Sequence, residues 1–204
     1  MEIHIRPAKF DDAPLLAKIF VYAIGEATAV SYLGETYEAV LTDICQSVGT
    51  QYSYQGALVA ECGGQSVGAI IGYDGAELHT LREGTLSVIR RYKRVSEMPE
   101  DETAAGEFYI DSIGVLPDFR GAGVGRRLLQ AMCSQAADCG HQRVGLLVDL
   151  ENPGAERLYR SLGFECENMQ TFFGHQMKHL VWRSGKKLEG LSLSLKPIKK
   201  CENF

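Results

Sequence analysis

Apolar residues follow two rhythms along the chain, period two in short runs and 3.6 in longer ones, and the two rhythms take turns. Residues 3–6 alternate as a strand does. Asp11 and Asp12 then open a helix in which Leu15, Leu16, Ile19, Phe20 and Ala23 repeat at helical spacing, with Pro14 in the first turn, where its missing N–H is no loss. Residues 37–47 read as another helix. Two apolar runs, Ala57–Cys62 and residues 66–73, meet at Gly63-Gly64, which signals a hairpin. Phe108–Val115 is the most apolar strand of the chain, and the helix after it carries Val124, Leu128, Met132 and Ala136 on one stripe before stopping at Gly140. Residues 144–150 read as a buried strand. A helix follows with Asn152 as N-cap, Pro153 as its first residue, a stripe of Ala155, Leu158, Tyr159 and Leu162, and Gly163 past its end. Residues 164–167 and 172–182 close the pattern as strands. Strands interleaved with helices in this way predict an α/β domain around one mixed sheet.

The rhythm breaks over residues 74–106. Residues 76–95 can form a helix that ends in Arg90, Arg91, Lys93 and Arg94, and five carboxylates without a base follow between Ser96 and Glu107. This stretch reads as an insertion between two strands, so residues 1–183 form one domain and 184–204 a basic tail. The acidic run could draw a cation towards a cleft, or it is a solvated loop. In the tail, residues 191–195 alternate as an added edge strand would, which makes the tail a candidate for pairing with a second copy of the chain.

With 204 residues, 45% apolar and 23% charged, the chain has the make-up of a globular protein and not of a disordered or fibrous one. The formal charge is −5; five lysines and two glutamates put +3 on the tail and leave −8 on residues 1–183, a balance that does not attract nucleic acid. No apolar run approaches the roughly 20 residues of a membrane helix, and the N-terminus has no apolar export core, so the expected location is the cytoplasm, away from membranes. The six cysteines, at 45, 62, 133, 139, 166 and 201, form neither a metal knuckle nor a redox pair. They read as thiols filling small apolar sites, with Cys201 the candidate for reactivity. His175 and His179 have the spacing of a zinc helix, but Gln176 stands where that motif needs glutamate and the segment reads as a strand; no metal is expected.

The candidate chemistry centres on Arg120-Gly121-Ala122-Gly123-Val124-Gly125-Arg126-Arg127, which joins an apolar strand to a helix. Glycines let backbone approach a ligand, and free N–H groups with the helix dipole favour an anion there. Three arginines in an otherwise acidic domain add contacts suited to phosphates. No Lys-Ser or Lys-Thr follows, as a P-loop requires. Arg126 takes the place of the third glycine of a dinucleotide turn.

Arg120-x-x-Gly123-x-Gly125 after an apolar strand resembles the acyl-CoA signature of the GNAT N-acetyltransferases. A second block, Asn152-x-x-Ala155-x-x-Leu158-Tyr159-x-x-x-Gly163-Phe164, lies downstream at the family's spacing, and the opening I-R-P-A-x-x-x-D-x-x-x-L is similar to the family's first strand and helix. The resemblance spans roughly residues 3–182 and leaves out 74–106 and the tail. It implies a mixed, mostly antiparallel sheet with helices on both faces, splayed at an acyl-CoA cleft. It further implies that backbone groups of Ile113, Gly114 and Val115 pair with the pantetheine arm of acetyl-CoA. Arg120, Gly121, Ala122, Gly123, Val124, Gly125 and Arg126 would hold the pyrophosphate, with Arg127 nearby. Asn152 is either a CoA contact or simply a helix cap.

The implied reaction is direct attack of a primary amine on the thioester. Asp111, amid apolar neighbours nine residues before Arg120, is the candidate base where relatives often carry glutamate; Glu107 is the second candidate. Tyr159 matches the tyrosine that protonates the departing sulfur, and it also belongs to a core stripe. The expected acceptor is a small-molecule amine. A protein N-terminus or lysine stays open as the acceptor, as do a non-catalytic acyl-CoA sensor and a nucleotide-binding protein.

Overall fold

In the computed structural model, which describes residues 2–94, 100–172 and 174–185, the short apolar runs are strands and the wider stripes are helices. The strands are β1 (Ile3–Pro7), β2 (Ala57–Cys62), β3 (Gln65–Asp74), β4 (Phe108–Val115), β5 (Arg143–Asp149), β6 (Glu165–Phe172) and β7 (His175–Arg183). The helices are α1 (Ala13–Ile24), α2 (Glu26–Leu33), α3 (Tyr37–Gln46), α4 (Leu78–Ile89), α5 (Val124–Asp138) and α6 (Pro153–Arg160). All seven strands lie in one sheet, in the order β1-β2-β3-β4-β5-β7-β6. Neighbours are antiparallel except β4 and β5, which run parallel.

Each face of the sheet buries a helical layer. The predicted α5 stripe of Val124, Leu128, Met132 and Ala136 is fully buried against Ile5, Leu58, Ile70, Ile110 and Leu146, and Tyr159 of α6 and Leu162 just after it join the same core. On the opposite face Leu16 and Ile19 of α1, Leu41 and Ile44 of α3 and Leu86 of α4 cover Val59, Ala69 and Ile71. Helices on both faces of a mixed sheet are the expected architecture.

Several elements depart from expectation. Helix α2 was not foreshadowed, because only Ala29 and Leu33 are buried in it, too narrow a stripe to give a helical period. Gly25 and Gly34, at φ 83° and 81°, turn the chain into it and out of it. Helix α4 is shorter than the predicted 76–95. Strand β6 is longer than predicted; it is an edge strand whose polar side chains are mostly exposed, so no alternation marks it. Cys45, Cys62 and Cys133 are buried thiols and Cys166 an exposed one, whereas Cys139 is disulfide-bonded, against the thiol reading. The tail strand at 191–195 and Cys201 lie outside the described residues. Among the described residues no single helix is long and apolar enough to cross a membrane, and no three His, Cys, Asp or Glu side chains are grouped as metal ligands.

Two irregularities shape the middle of the sheet. Pairing between β4 and β5 covers only Phe108–Ile110 against Val144, Gly145 and Leu146, after which the strands part. On its other edge β4 carries a bulge: Ile71 faces Ser112 and Gly72 faces Ile110, which leaves Asp111 as the extra residue. Gly72 suits the spot, since a Cβ there would lie 2.7 Å from the Tyr109 carbonyl oxygen.

Candidate active site at the parting of two parallel strands

From Asp111 onward β4 keeps its pairing with β3, Ile113 to Ile70, Gly114 to Ala69 and Val115 to Gly68, but among the described residues it has no strand partner on the β5 side. A stretch of backbone is thus open to a ligand that can pair with it. At its end a short turn (Pro117–Phe119) leads into Arg120–Gly123. Gly121 and Gly123 sit at φ 77° and 83°, and a Cβ on either would meet no atom within 4 Å, so the turn is left-handed and open on its outer side. Gly123 caps α5, and the first N–H groups of that 15-residue helix have no partner within the helix. Gly125 is packed inward, 3.5 Å from Leu158 of α6 where a Cβ would stand, so it brings α5 and α6 together.

The flanking arginines are held within the protein. Arg120 Nε donates to the Val115 carbonyl at 3.1 Å and its guanidinium lies 5.5 Å from the centre of the Tyr22 ring of α1. Arg126 donates to the Ser161 hydroxyl at 2.7 Å. Asn152 is a helix cap here: its Oδ1 accepts from the Ala155 N–H at 3.1 Å.

The two candidate acid–base groups come from β4 and from α6, the helix that follows β5. Asp111 projects from the bulge; its carboxylate accepts from the Ser112 hydroxyl at 2.7 Å, and burial, with the Glu102 charge second, pushes it up to about 7. Burial first, and the Asp111 charge after it, also hold the Tyr52, Tyr73 and Tyr109 hydroxyls well above the usual phenol range. Tyr159, on α6, is buried beside Phe164 with ring centres 6.0 Å apart. No hydrogen bond reaches its hydroxyl among the described residues, and burial pushes it up to about 12.

Glu107 is not brought to this group. Just before β4, it accepts from Thr103 at 2.8 Å and sits 3.1 Å from His179 Nε2 of β7, with Arg143 at 3.7 Å. The acidic run has a second outcome as well. Glu102 is buried, accepting from Tyr73 and Gln51 at 2.7 Å and from Arg82 of α4 at 2.6 Å. Gln51, Tyr73 and Arg82 gave no signal in the sequence, lying 51, 29 and 20 residues from Glu102 with no motif linking them; the carboxylate cluster was the hint.

The sheet thus parts at a parallel junction, with an open strand edge inside the gap and a glycine turn on a helix N-terminus at its mouth, in an α/β fold with helices on both faces. Residues 24–164 match the acetyltransferase (GNAT) family, and the chain belongs to that family. A crystal structure of an acetyltransferase superposes with a TM-score of 0.75 at 31% identity, over 88% of this chain and 98% of that one. A Salmonella typhimurium protein solved with its cofactor acetyl-CoA shares the fold, with a TM-score of 0.59 at 19% identity over 95% of this chain and all of that one. Among curated relatives, the mycothiol acetyltransferase of Thermobifida fusca is 42% identical over 74 residues, which is 36% of this chain and 22% of that protein. The chain therefore spans under a quarter of the length of that relative.

Proposed function

We propose that the protein is an N-acetyltransferase that moves an acetyl group from acetyl-CoA to the primary amine of a small molecule, in one direct transfer. The observation that carries this reading is Asp111, a carboxyl held near pH 7 at the point where β4 and β5 part. A base works best when its pKa lies near the working pH, and few carboxylates reach that range.

The residues present fit the donor. The edge of Ile113, Gly114 and Val115 turned away from β3 suits an amide-bearing arm, while the N–H groups from Gly121 to Arg126, with Arg120 and Arg127, suit its phosphates. Acetyl-CoA supplies an activated acetyl thioester. Asp111, one methylene shorter than glutamate, takes the proton from the attacking amine, directly or through one water. Tyr159, whose hydroxyl has no hydrogen-bond partner among the described residues, delivers a proton to the departing sulfur. Its high pKa keeps it protonated until that moment. Asn152 caps α6 and so fixes where Tyr159 stands.

A small acceptor is favoured by two observations. The stretch matched by mycothiol acetyltransferases belongs to proteins whose name gives a small molecule. Residues 101 and 102, ahead of β4, are fastened to Arg82 of α4 and reach β6 through Gln170, and we read this bracing as a wall on the amine side of the gap. The test is chromatographic detection of CoA when the protein meets acetyl-CoA and a panel of polyamines, aminoglycosides, amino acids and peptides. Amine-dependent release above that of Asp111→Asn supports the proposal and names the acceptor class. Tight acetyl-CoA binding with no amine-stimulated release would leave a binding protein in place of an enzyme, and absence of binding would end the assignment.

A further inference from the structure

A buried ion pair is an odd thing to find in the least apolar stretch of the chain. The Arg82 and Glu102 side chains are each only 4% exposed and meet at 2.6 Å. Such pairs contribute little net stability, because desolvating two charges offsets most of their attraction, and apolar residues of similar size often serve a fold as well. Here the pair is further fixed. Arg82 also donates to the Glu100 carbonyl at 3.0 Å and to Asp101, and Glu102 accepts from Tyr73 and Gln51. The Gln51 backbone N–H is in turn tied to Thr85 of α4 at 3.0 Å. The glutamate is thereby immobilised from three elements: α4, β3 and the segment after α3.

Two contacts lead from that fixed carboxylate towards the bulge of Asp111. Tyr73, which donates to Glu102, is paired with Tyr109 across β3 and β4, and their rings meet edge to face at 5.7 Å. Asp111 follows Tyr109 by two residues, at the bulge. The groups that face Asp111 electrostatically are Glu102 from the α4–β4 connection, Tyr52 after α3, Tyr73 from β3 and Tyr109 on its own strand, with Ser112 as hydrogen-bond donor. Arg82 stands behind Glu102 and acts on Tyr52 with the opposite sign.

We infer that Glu102 is a positioning residue for the base: clamped by Arg82, Tyr73 and Gln51, its fixed negative charge and the tyrosine it orients govern when Asp111 holds a proton. Glu102 touches no reacting atom and acts only through Asp111. The inference rests on the proposed role of Asp111, and it gives residues 100–103 a task in the chemistry besides walling the gap.

The test has two readouts on the full chain. The carboxyl ¹³C resonance of Asp111, assigned by its disappearance in Asp111→Asn, is titrated in the wild type, in Glu102→Gln and in the neutral double variant Arg82→Gln/Glu102→Gln. The double variant leaves no unpaired buried charge, so it covers the case in which Glu102→Gln fails to fold. The expected midpoint is about 7 in the wild type, lower by about one pH unit in Glu102→Gln, the size of effect a close like charge produces, and lower by less in the double variant, which also removes the opposing charge of Arg82. The acid limb of kcat/KM against pH moves with it. An unmoved midpoint in the folded variants overturns the inference, even if turnover falls, since a merely structural role would lower activity without shifting the limb. A midpoint that moves in a protein that acetylates no amine sustains the coupling and overturns the proposed function instead.

Discussion

Arg120 Nε donates to the Val115 carbonyl oxygen at 3.1 Å, so the first residue of the glycine turn is tied to the last residue of the open strand edge. A donor molecule that pairs with that carbonyl and offers phosphates to the turn would take Arg120 over on both counts. Arg120→Ala is expected to weaken CoA binding roughly 10- to 100-fold, the scale of a charge-assisted hydrogen bond. The loss should shrink as salt is raised, because the contact is partly screened. Calorimetric titration with CoA at low and high salt checks both points.

Tyr159→Phe should lower kcat about 10²-fold while leaving CoA affinity within a factor of a few. The ring is buried and contributes packing that phenylalanine keeps, and its hydroxyl has no hydrogen-bond partner among the described residues whose loss would destabilise the fold. Equal turnover would remove Tyr159 from the chemistry.

If Asp111 is the base, as proposed, activity and stability are expected to respond to pH in opposite senses. Its carboxyl titrates at about 7 in the folded protein and at about 3.9 in an unfolded chain. Between those values the folded state holds a proton that the unfolded state has released, so this group's contribution to stability declines as pH rises from about 4 to about 7. Activity rises over the upper part of the same window as the base is uncovered. Asp111→Asn should abolish the acid limb of the rate profile, cut turnover by 10² or more, and raise Tm more at pH 8 than at pH 5. Thermal melts at the two pH values are the check.

Glu107→Gln separates the second candidate base from a structural carboxylate. With Thr103, His179 and Arg143 around it, Glu107 is expected to cost about 1–3 kcal/mol of stability when neutralised, as buried hydrogen-bonded groups do. The acid limb should stay where Asp111 puts it. Loss of that limb in Glu107→Gln would transfer the role of base to Glu107.

Gly72→Ala tests the bulge itself. A Cβ there would lie 2.7 Å from the Tyr109 carbonyl oxygen and against the Phe108 ring, neither of which can yield without moving β4. The expected cost is about 1–3 kcal/mol, read as a Tm drop of several degrees, with turnover falling further than the Tm change explains because Asp111 moves too.

The sheet and its helices were legible wherever one face is buried, as at Val124, Leu128, Met132 and Ala136, because burial is what writes a period into a sequence. Helix α2 and strand β6 escaped for the converse reason, since neither buries enough of one side to leave a period. The glycine turn was legible because glycine at φ 77° and 83° is a backbone demand visible at single residues. The tyrosines around Asp111 were not, nor was the Arg82–Glu102 pair, because segments far apart in the chain meet only once the sheet has formed. Asp111 itself stood out as a charge in an apolar run, yet its place at a bulge depends on the register against β3, which no local pattern encodes.

Because β4 and β5 join over only three residue pairs, Phe108–Ile110 with Val144–Leu146, the two halves of the sheet are stitched at one end and unlaced along the rest. A donor lying in that seam takes the place of the missing lacing and favours the folded state by mass action, with a gain that grows as the logarithm of its concentration over Kd. For a protein that uses acetyl-CoA in this way, durability is tied to supply: the chain is hardest to unfold when acetyl donor is plentiful and softest when it runs short.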